Sequence, residues 1–90
     1  MFGKGKQKGT VRFSVRDGGV RQAEVAGDFS AWRPVAMKKQ KSGEFVATIE
    51  ARPGTYQYKF ILDGQWAVDP DNPELAANCH GTYNSVAVVK

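Results

Sequence analysis

Two tryptophans, Trp32 and Trp66, are the residues of this 90-residue chain whose chemistry most needs an explanation. Two exposed indoles would suit a flat apolar ligand with hydroxyl groups around its rim. A glucose ring has this form, because its axial C–H groups lie on the ring face and its hydroxyls lie at the edge. A lysine and an amide nearby, such as Lys59 and Asn84, could donate hydrogen bonds to those hydroxyls. The alternative for each tryptophan is core packing, which is the usual environment of an indole in a small β domain.

Catalytic chemistry has little support in the sequence. The single histidine, His80, directly follows the single cysteine, Cys79. Adjacent residues on a strand point to opposite faces, which argues against a thiolate–imidazole pair. The same two residues supply two metal ligands, whereas structural zinc takes four. We therefore expect no catalytic residue, no bound metal and no cofactor.

Three acidic residues, Asp69, Asp71 and Glu74, faintly resemble a calcium-binding loop. Pro70 and Pro73 interrupt the segment, and the ligand spacing of a calcium loop is absent. We interpret these residues instead as Asx-type turns, in which the residue before each proline bonds to the backbone two positions on.

The net charge of +4 lies mostly at the start of the chain. Lys4, Lys6 and Lys8 account for three of these charges, so residues 10–90 are nearly neutral. A nucleic-acid-binding surface would be basic over a wide area. We therefore predict a disordered basic leader over residues 1–9, a folded domain over residues 10–90, and no nucleic-acid partner. The remaining alternative, RNA binding through the lysines, would depend strongly on salt.

Neither a membrane segment nor a secretory signal is evident in the sequence. No stretch approaches the ~20 apolar residues of a membrane span, and no apolar run follows the N-terminal lysines. One cysteine cannot form an internal disulfide. These features predict a cytoplasmic protein without a membrane partner.

A β-hairpin is predicted around Asp63 and Gly64. A type I′ turn needs positive φ at both central residues, and glycine adopts it without strain. This turn pairs Ile61 with Trp66, and cross-strand partners point to the same face. The large side chains that alternate on the opposite face are predicted to lie inward: Tyr56, Tyr58, Phe60 and Leu62. Trp66 is thus predicted to lie outward beside Ile61, with Lys59 diagonal to it.

About seven short strands separated by Gly/Pro turns predict an all-β protein, an antiparallel β-sandwich. Outside the hairpin, the predicted strands are residues 10–15, 20–26, 35–39, 44–50 and 85–89. Residues 27–34 are rich in breakers and predict a loop, which favours exposure of Trp32. Residues 68–84 predict a long irregular connection, and such loops are usually functional or disordered.

Five segments occur in one order along the chain and together resemble a known family. They read Val-Ala-Gly-Asp-Phe-Ser-Ala-Trp, Gly-Thr-Tyr-Gln-Tyr-Lys-Phe, Asp-Gly-Gln-Trp, Asp-Pro and Gly-Thr-Tyr-Asn-Ser, at residues 25–32, 54–60, 63–66, 69–70 and 81–85. The family is carbohydrate-binding module family 48, found in the beta subunit of AMP-activated protein kinase and in front of glycogen branching enzymes and isoamylases. The resemblance implies an immunoglobulin-like sandwich of the early set type.

The resemblance also implies a ligand-binding role for Trp32, Lys59, Trp66, His80, Thr82 and Asn84. The two tryptophans would stack on α-1,4-linked glucose units, and Lys59 and Asn84 would hydrogen-bond to sugar hydroxyls. Thr82 lies in the same binding loop. Kinase-type members have a leucine immediately before the Gly-Thr pair, where it presses on the sugar ring. In this sequence the residue is His80, which could stack on a sugar or hydrogen-bond to it.

Two functions follow as hypotheses. The first is non-catalytic binding of α-1,4-linked glucans such as glycogen, starch or maltodextrins. The second is a protein-interaction module, in which the same aromatic patch or a sheet edge docks a kinase or a glucan-metabolising enzyme. Exposed apolar patches serve protein partners as readily as sugars.

Overall fold

The computed structural model describes residues 1–5, 9–78 and 81–89, which form two antiparallel sheets packed face to face. The elements in chain order are β1 (Phe2–Lys4), β2 (Thr10–Arg16), β3 (Ala23–Gly27), a 3₁₀ turn (Asp28–Ser30), β4 (Val35–Ala36), β5 (Lys38–Lys39), β6 (Glu44–Glu50), β7 (Gly54–Leu62), β8 (Gln65–Ala67), β9 (Leu75–Ala77) and β10 (Tyr83–Val89). One sheet has the order β1-β2-β6-β5, and the other has the order β4-β3-β7-β10-β9 with β8 paired to β7. The predicted all-β, immunoglobulin-like antiparallel sandwich is confirmed.

The core is built from the inward side chains of the long strands. Phe13 on β2 and Tyr58 on β7 are fully buried, and their ring centroids lie 4.8 Å apart between the sheets. Val25 on β3 and Phe60 on β7 are also fully buried. Each such side chain contributes about 1.5–3 kcal/mol through removal of apolar surface from water. With these side chains inward, the outward residues of β7 and β10 are left to form a surface site.

The hairpin of β7 and β8 has the predicted register and turn. Ile61 pairs with Trp66, and Asp63 and Gly64 have φ values of 49° and 83°. Positive φ at both positions fits the type I′ turn. The Asp63 carboxylate also accepts hydrogen bonds from the backbone N–H groups of residues 21–22, at 3.0 and 2.9 Å. The turn is therefore tied to the chain that enters β3.

The predicted disordered leader is wrong for residues 2–4, which form β1. Phe2 pairs with Phe13 of β2, and its ring meets that of Tyr58 edge-on with 6.2 Å between centroids. The glycine- and lysine-rich composition of this segment predicts disorder, but the Phe2 side chain packs against the core. Two of the leader lysines, Lys6 and Lys8, lie outside the described residues, and a domain over residues 10–90 stays a prediction.

Two further strand predictions need correction. The connection over residues 68–84 is not wholly irregular, because β9 lies within it and pairs with β10. The single strand predicted over residues 35–39 is two strands, β4 paired with β3 and β5 paired with β6. The chain crosses from one sheet to the other between them. Nothing helical among the described residues has the length and hydropathy of a membrane span.

The Asx-turn interpretation of the acidic segment is confirmed. The Asp69 side chain accepts a hydrogen bond from the backbone N–H of Asp71 at 2.9 Å. The Asn72 side chain accepts one from the N–H of Glu74 at 3.0 Å. Each bond spans two residues across a proline, so the segment follows the turn geometry that asparagine and aspartate favour.

A buried polar network fixes this segment against the core. The Tyr58 hydroxyl donates to the Asp69 carboxylate at 2.6 Å and accepts from the Asn72 amide at 3.0 Å. Ser85 Oγ accepts from the Asp69 N–H at 2.7 Å, and the α-amino group of Met1 contacts the same carboxylate. Burial, together with the hydrogen bond to Asp69, raises the pKa of the Tyr58 phenol well above its usual value.

Candidate functional site

A groove of about 540 Å³ lies on the outer face of the sheet that contains β7 and β10. It is lined by Asp28, Trp32, Gln57, Lys59, Trp66, Asn78, Thr82 and Asn84. Five of the six residues predicted to bind ligand are among these. The sixth, His80, lies outside the described residues, so its predicted role stays a prediction.

The two indoles lie together at this groove. Their ring centroids are 6.5 Å apart, and the ring planes are inclined at 40°. Trp66 is 52% exposed, and Trp32 is half-buried. The predicted outward direction of Trp66 is therefore confirmed, and core packing does not describe either ring. The groove offers two adjacent apolar faces at an angle to each other.

The backbone that carries Trp32 is held in an unfavourable conformation. Ala31 and Trp32 have φ values of 54° and 62°, in the left-handed region. This region costs roughly 1–2 kcal/mol per residue for side chains other than glycine. The N–H of Trp32 donates to the Gly27 carbonyl at 2.9 Å, and the indole N–H donates to Asp28 Oδ1 at 3.0 Å. These bonds hold the loop in the conformation that brings the ring to the groove.

Gly27 allows this loop to pack closely on β7. A Cβ atom at this position would lie 2.5 Å from the Gln57 carbonyl oxygen and 2.6 Å from the Phe29 ring. The backbone of Gly27 is extended, so the requirement is for space and not for an unusual φ. The second oxygen of Asp28 accepts the Gln57 N–H at 2.8 Å. The end of β3 and the Trp32 loop are thereby fixed against the strand that carries Lys59.

The polar side chains of the groove form one connected network. Lys59 Nζ donates to Thr82 Oγ1 at 3.2 Å, and the Asn78 amide donates to the same oxygen at 2.7 Å. The Asn78 amide also reaches Asn84 Oδ1 at 3.1 Å, and Asn84 Nδ2 donates to Gln57 Oε1 at 3.0 Å. These contacts fix the polar side of the groove before a ligand arrives.

Asn84 occupies a different position in the groove from Lys59. Asn84 is buried, and both ends of its amide bond to protein groups. It lies at the floor of the groove, whereas Lys59 and Thr82 are more accessible. Ile61 also differs from expectation, because it lies on the outer face yet is buried beside its cross-strand partner Trp66.

Sequence reasoning missed three groove residues: Asp28, Gln57 and Asn78. Gln57 could have been found, because it alternates with Lys59 on the outward face of one strand. Asp28 stands four residues before Trp32, but the fold of the loop between them decides whether the two meet. Asn78 gave no signal, since its place depends on how the segment after β9 returns to β10.

The charge of the groove is balanced. Of the described residues that line it, Asp28 carries a negative charge and Lys59 a positive one. The remaining lining residues are neutral amides, a hydroxyl and two indoles. An uncharged ligand with many hydroxyl groups suits this surface better than a phosphate-bearing one, which would need clustered basic residues.

The chain is an immunoglobulin-like β-sandwich with two indoles beside a polar groove, and comparison with known proteins specifies its family. Residues 10–90 match the family described as the glycogen recognition site of AMP-activated protein kinase. The chain belongs to this family, which is a carbohydrate-binding module and not a catalytic domain. The resemblance to family 48 modules is confirmed.

Several relatives are subunits of that kinase. The 5'-AMP-activated protein kinase subunit beta-1 of Sus scrofa is 34% identical over 73 residues, which cover 81% of this chain and 58% of the relative. The beta-1 subunit of Bos taurus is 36% identical over 73 residues, covering 81% of this chain and 26% of the relative. The beta-2 subunit of Mus musculus is 33% identical over 72 residues, covering 80% and 26%. The chain thus spans only part of the length of these relatives.

A solved structure shares the fold. The crystal structure of maltogenic amylase from S. marinus superimposes with a TM-score of 0.75 at 23% identity. The match covers 90% of this chain and 13% of that one. At this level of identity the likeness establishes the architecture alone.

Proposed function

We propose that this protein binds α-1,4-linked glucans, such as glycogen, starch or maltodextrins, without catalysing a reaction on them. The observation that carries the proposal is the pair of indoles, 6.5 Å apart and inclined at 40°, beside one groove. An α-1,4-linked glucan curves from one glucose to the next, so successive ring faces turn relative to each other. Two inclined indole faces suit such a chain better than the flat ribbon of a β-1,4-linked glucan.

The polar residues of the groove would orient the sugar. Lys59 has three N–H donors, one of which goes to Thr82. It is suited to donate to a glucose hydroxyl, and Thr82 lies next to it. Asn84 would act from the floor of the groove, and His80, two positions before Thr82 in the sequence, would stack on the sugar or hydrogen-bond to it. The balanced charge of Asp28 and Lys59 agrees with a neutral ligand.

The affinity should be modest. The groove is open, so it buries only part of a sugar chain, and a flexible oligosaccharide loses conformational freedom when it binds. A dissociation constant of ~μM to mM is expected for such a site. A preformed polar network reduces part of this cost, because few protein side chains need to be ordered on binding.

Titration with maltoheptaose tests the proposal, with tryptophan fluorescence as the signal. We expect saturable change in emission at micromolar to millimolar sugar, and none with cellohexaose at the same concentrations. Trp66→Ala should weaken binding about tenfold or more, equivalent to about 1.4 kcal/mol. Tyr83→Ala is the matched control, since Tyr83 is a similarly exposed aromatic residue that does not line the groove.

Several outcomes would contradict glucan binding. Wild-type protein that shows no response at millimolar maltoheptaose would do so, whereas equal losses for the Trp66 and Tyr83 variants would contradict binding through this groove. The circular dichroism spectrum of Trp66→Ala should match that of the wild type. Global unfolding of this variant would indicate that Trp66 stabilises the fold and is not a free binding surface.

A second candidate function is docking of a kinase or a glucan-metabolising enzyme. Its support is that the relatives are named as subunits of a kinase and that the S. marinus amylase contains this fold as a small part of its chain. The test is a pull-down with wild type and a Trp32/Trp66 double variant. Recovery of a protein that requires both tryptophans and persists with added maltodextrin would favour docking over glucan binding.

A further inference from the structure

We propose that Asp28 is a positioning residue that sets the orientation of the Trp32 indole, and hence the inclination of the two ring faces in the groove. The inference rests on the proposed glucan-binding function. Asp28 itself lines the groove, but the proposed role is exerted through Trp32 and needs no direct contact with the ligand.

The geometry of the carboxylate carries this inference. An indole has a single polar atom, its N–H group, and here that group donates to Asp28 Oδ1 at 3.0 Å. The other oxygen accepts the backbone N–H of Gln57 at 2.8 Å. One side chain therefore links the Trp32 ring to the backbone of β7. The same strand carries Lys59, so the Trp32 ring and the Lys59 ammonium group are both positioned relative to β7.

The exposure of this link indicates an orienting role. The bonds from Trp32 and Gln57 to the carboxylate are solvent-exposed, so water could satisfy both donors if Asp28 were absent. What water could not supply is a fixed direction for the indole. A second consequence is that the indole N–H is already engaged. Trp32 would therefore meet the sugar with its ring face and not through its N–H group.

A carboxylate is suited to this position because both of its oxygens accept hydrogen bonds. In an Asp28→Asn variant, the amide oxygen can still accept one of the two hydrogen bonds. The amide NH2 group would face the remaining N–H donor and cannot accept a hydrogen bond from it. Asp28→Ala removes both acceptors. The two variants are therefore expected to form a graded series, with the larger effect for alanine. Asp17→Asn removes an exposed charge in the turn between β2 and β3 and is the control for net charge.

The test combines two-dimensional ¹H–¹⁵N NMR of the indole N–H groups with maltoheptaose titration. In Asp28→Ala the Trp32 indole resonance should shift upfield and exchange faster with solvent. The affinity for maltoheptaose should fall about five- to tenfold, as expected for loss of a charge-assisted hydrogen bond at an exposed site. Asp28→Asn should lie between Asp28→Ala and wild type, and Asp17→Asn should match wild type.

Clear results would overturn the inference. An unchanged Trp32 indole resonance in Asp28→Ala would do so, as would lower affinity without any change in that resonance. If Asp28→Ala fails to fold, the isosteric Asp28→Asn variant carries the same comparison. Failure of the proposed function looks different: wild-type protein would not bind maltoheptaose, while the indole resonance would still report whether Asp28 holds the ring.

Discussion

Gly27 lets the end of β3 approach β7 closely, at the point where the loop that carries Trp32 begins. The Cβ of an alanine there would overlap both the Gln57 carbonyl and the Phe29 ring. The backbone carbonyl cannot move without disturbing the pairing of β3 with β7. The space at this glycine therefore helps to place the Trp32 loop, although Gly27 itself does not line the groove.

Gly27→Ala should destabilise the protein by about 1–3 kcal/mol, the usual cost of overpacking. Urea denaturation measures the loss, and a changed emission spectrum should show that Trp32 has moved. Gly18→Ala is the matched control, since a Cβ at Gly18 meets no atom within 4 Å. Equal stability of the two variants would show that the loop can shift away from β7 at little cost.

Individual site residues differed in how far the sequence could predict them. The outward direction of Trp66 followed from local chemistry, since a two-residue turn at Asp63 fixes the pairing of the next few residues. The contact between Asp28 and the indole of Trp32 was beyond such reasoning. It depends on two successive residues in the left-handed backbone conformation, which residues other than glycine rarely adopt.

At the level of elements, long strands with strict alternation were predicted well and short edge strands were not. The bounds of β6 match the prediction, because alternation over seven residues is a strong local signal. Strands β1 and β9 have three residues each, and each pairs with only one neighbour. Their existence depends on a long strand already in place beside them, which a local pattern does not reveal.

Phe2→Ala tests whether β1 stabilises the sandwich. Phe2 is half-buried against the core and Tyr58, so loss of its ring should lower the free energy of unfolding by about 1–2 kcal/mol. Lys4→Ala, an exposed change on the same strand, should cost less than about 0.5 kcal/mol. Chemical denaturation measures both. An unchanged free energy of unfolding in Phe2→Ala would instead indicate that β1 does not stabilise the fold.

At the level of the whole molecule, the Tyr58–Asp69–Asn72 network joins the centre of the core to the segment that leads from the hairpin to β9. Tyr58 packs against Phe13 across the two sheets and hydrogen-bonds to Asp69 at its other end. Packing between the sheets and the path of this segment are thus linked through one side chain.

This network predicts a loss of stability in alkaline solution. The folded-state pKa of Tyr58 is raised by burial and by its hydrogen bond to Asp69, whereas an unfolded tyrosine ionises near pH 10. Below about pH 9 the neutral phenol therefore makes its full contribution to the free energy of unfolding. Above about pH 10 the unfolded state loses a proton that the folded state keeps, and stability should fall by up to about 1.4 kcal/mol per pH unit.

Urea denaturation from pH 8 to pH 11 measures this dependence, with Tyr58→Phe as the comparison. The variant should be less stable at pH 8, because Asp69 and Asn72 lose a partner. Its stability should nevertheless fall less steeply above pH 10, since one ionisable group is gone. Parallel curves for the two proteins would show that Tyr58 does not control the alkaline transition.

The two-residue turn of the hairpin limits the insertions and deletions that this domain could accept. A slip of the β8 pairing by a single position would exchange its two faces, sending Trp66 toward the interior and a neighbouring side chain toward solvent. An insertion or deletion that shifted this alignment would remove one indole from the groove, whereas a substitution elsewhere on β8 would leave the pairing in place. Chain length at residues 63–64 therefore determines on which face of the sheet Trp66 lies.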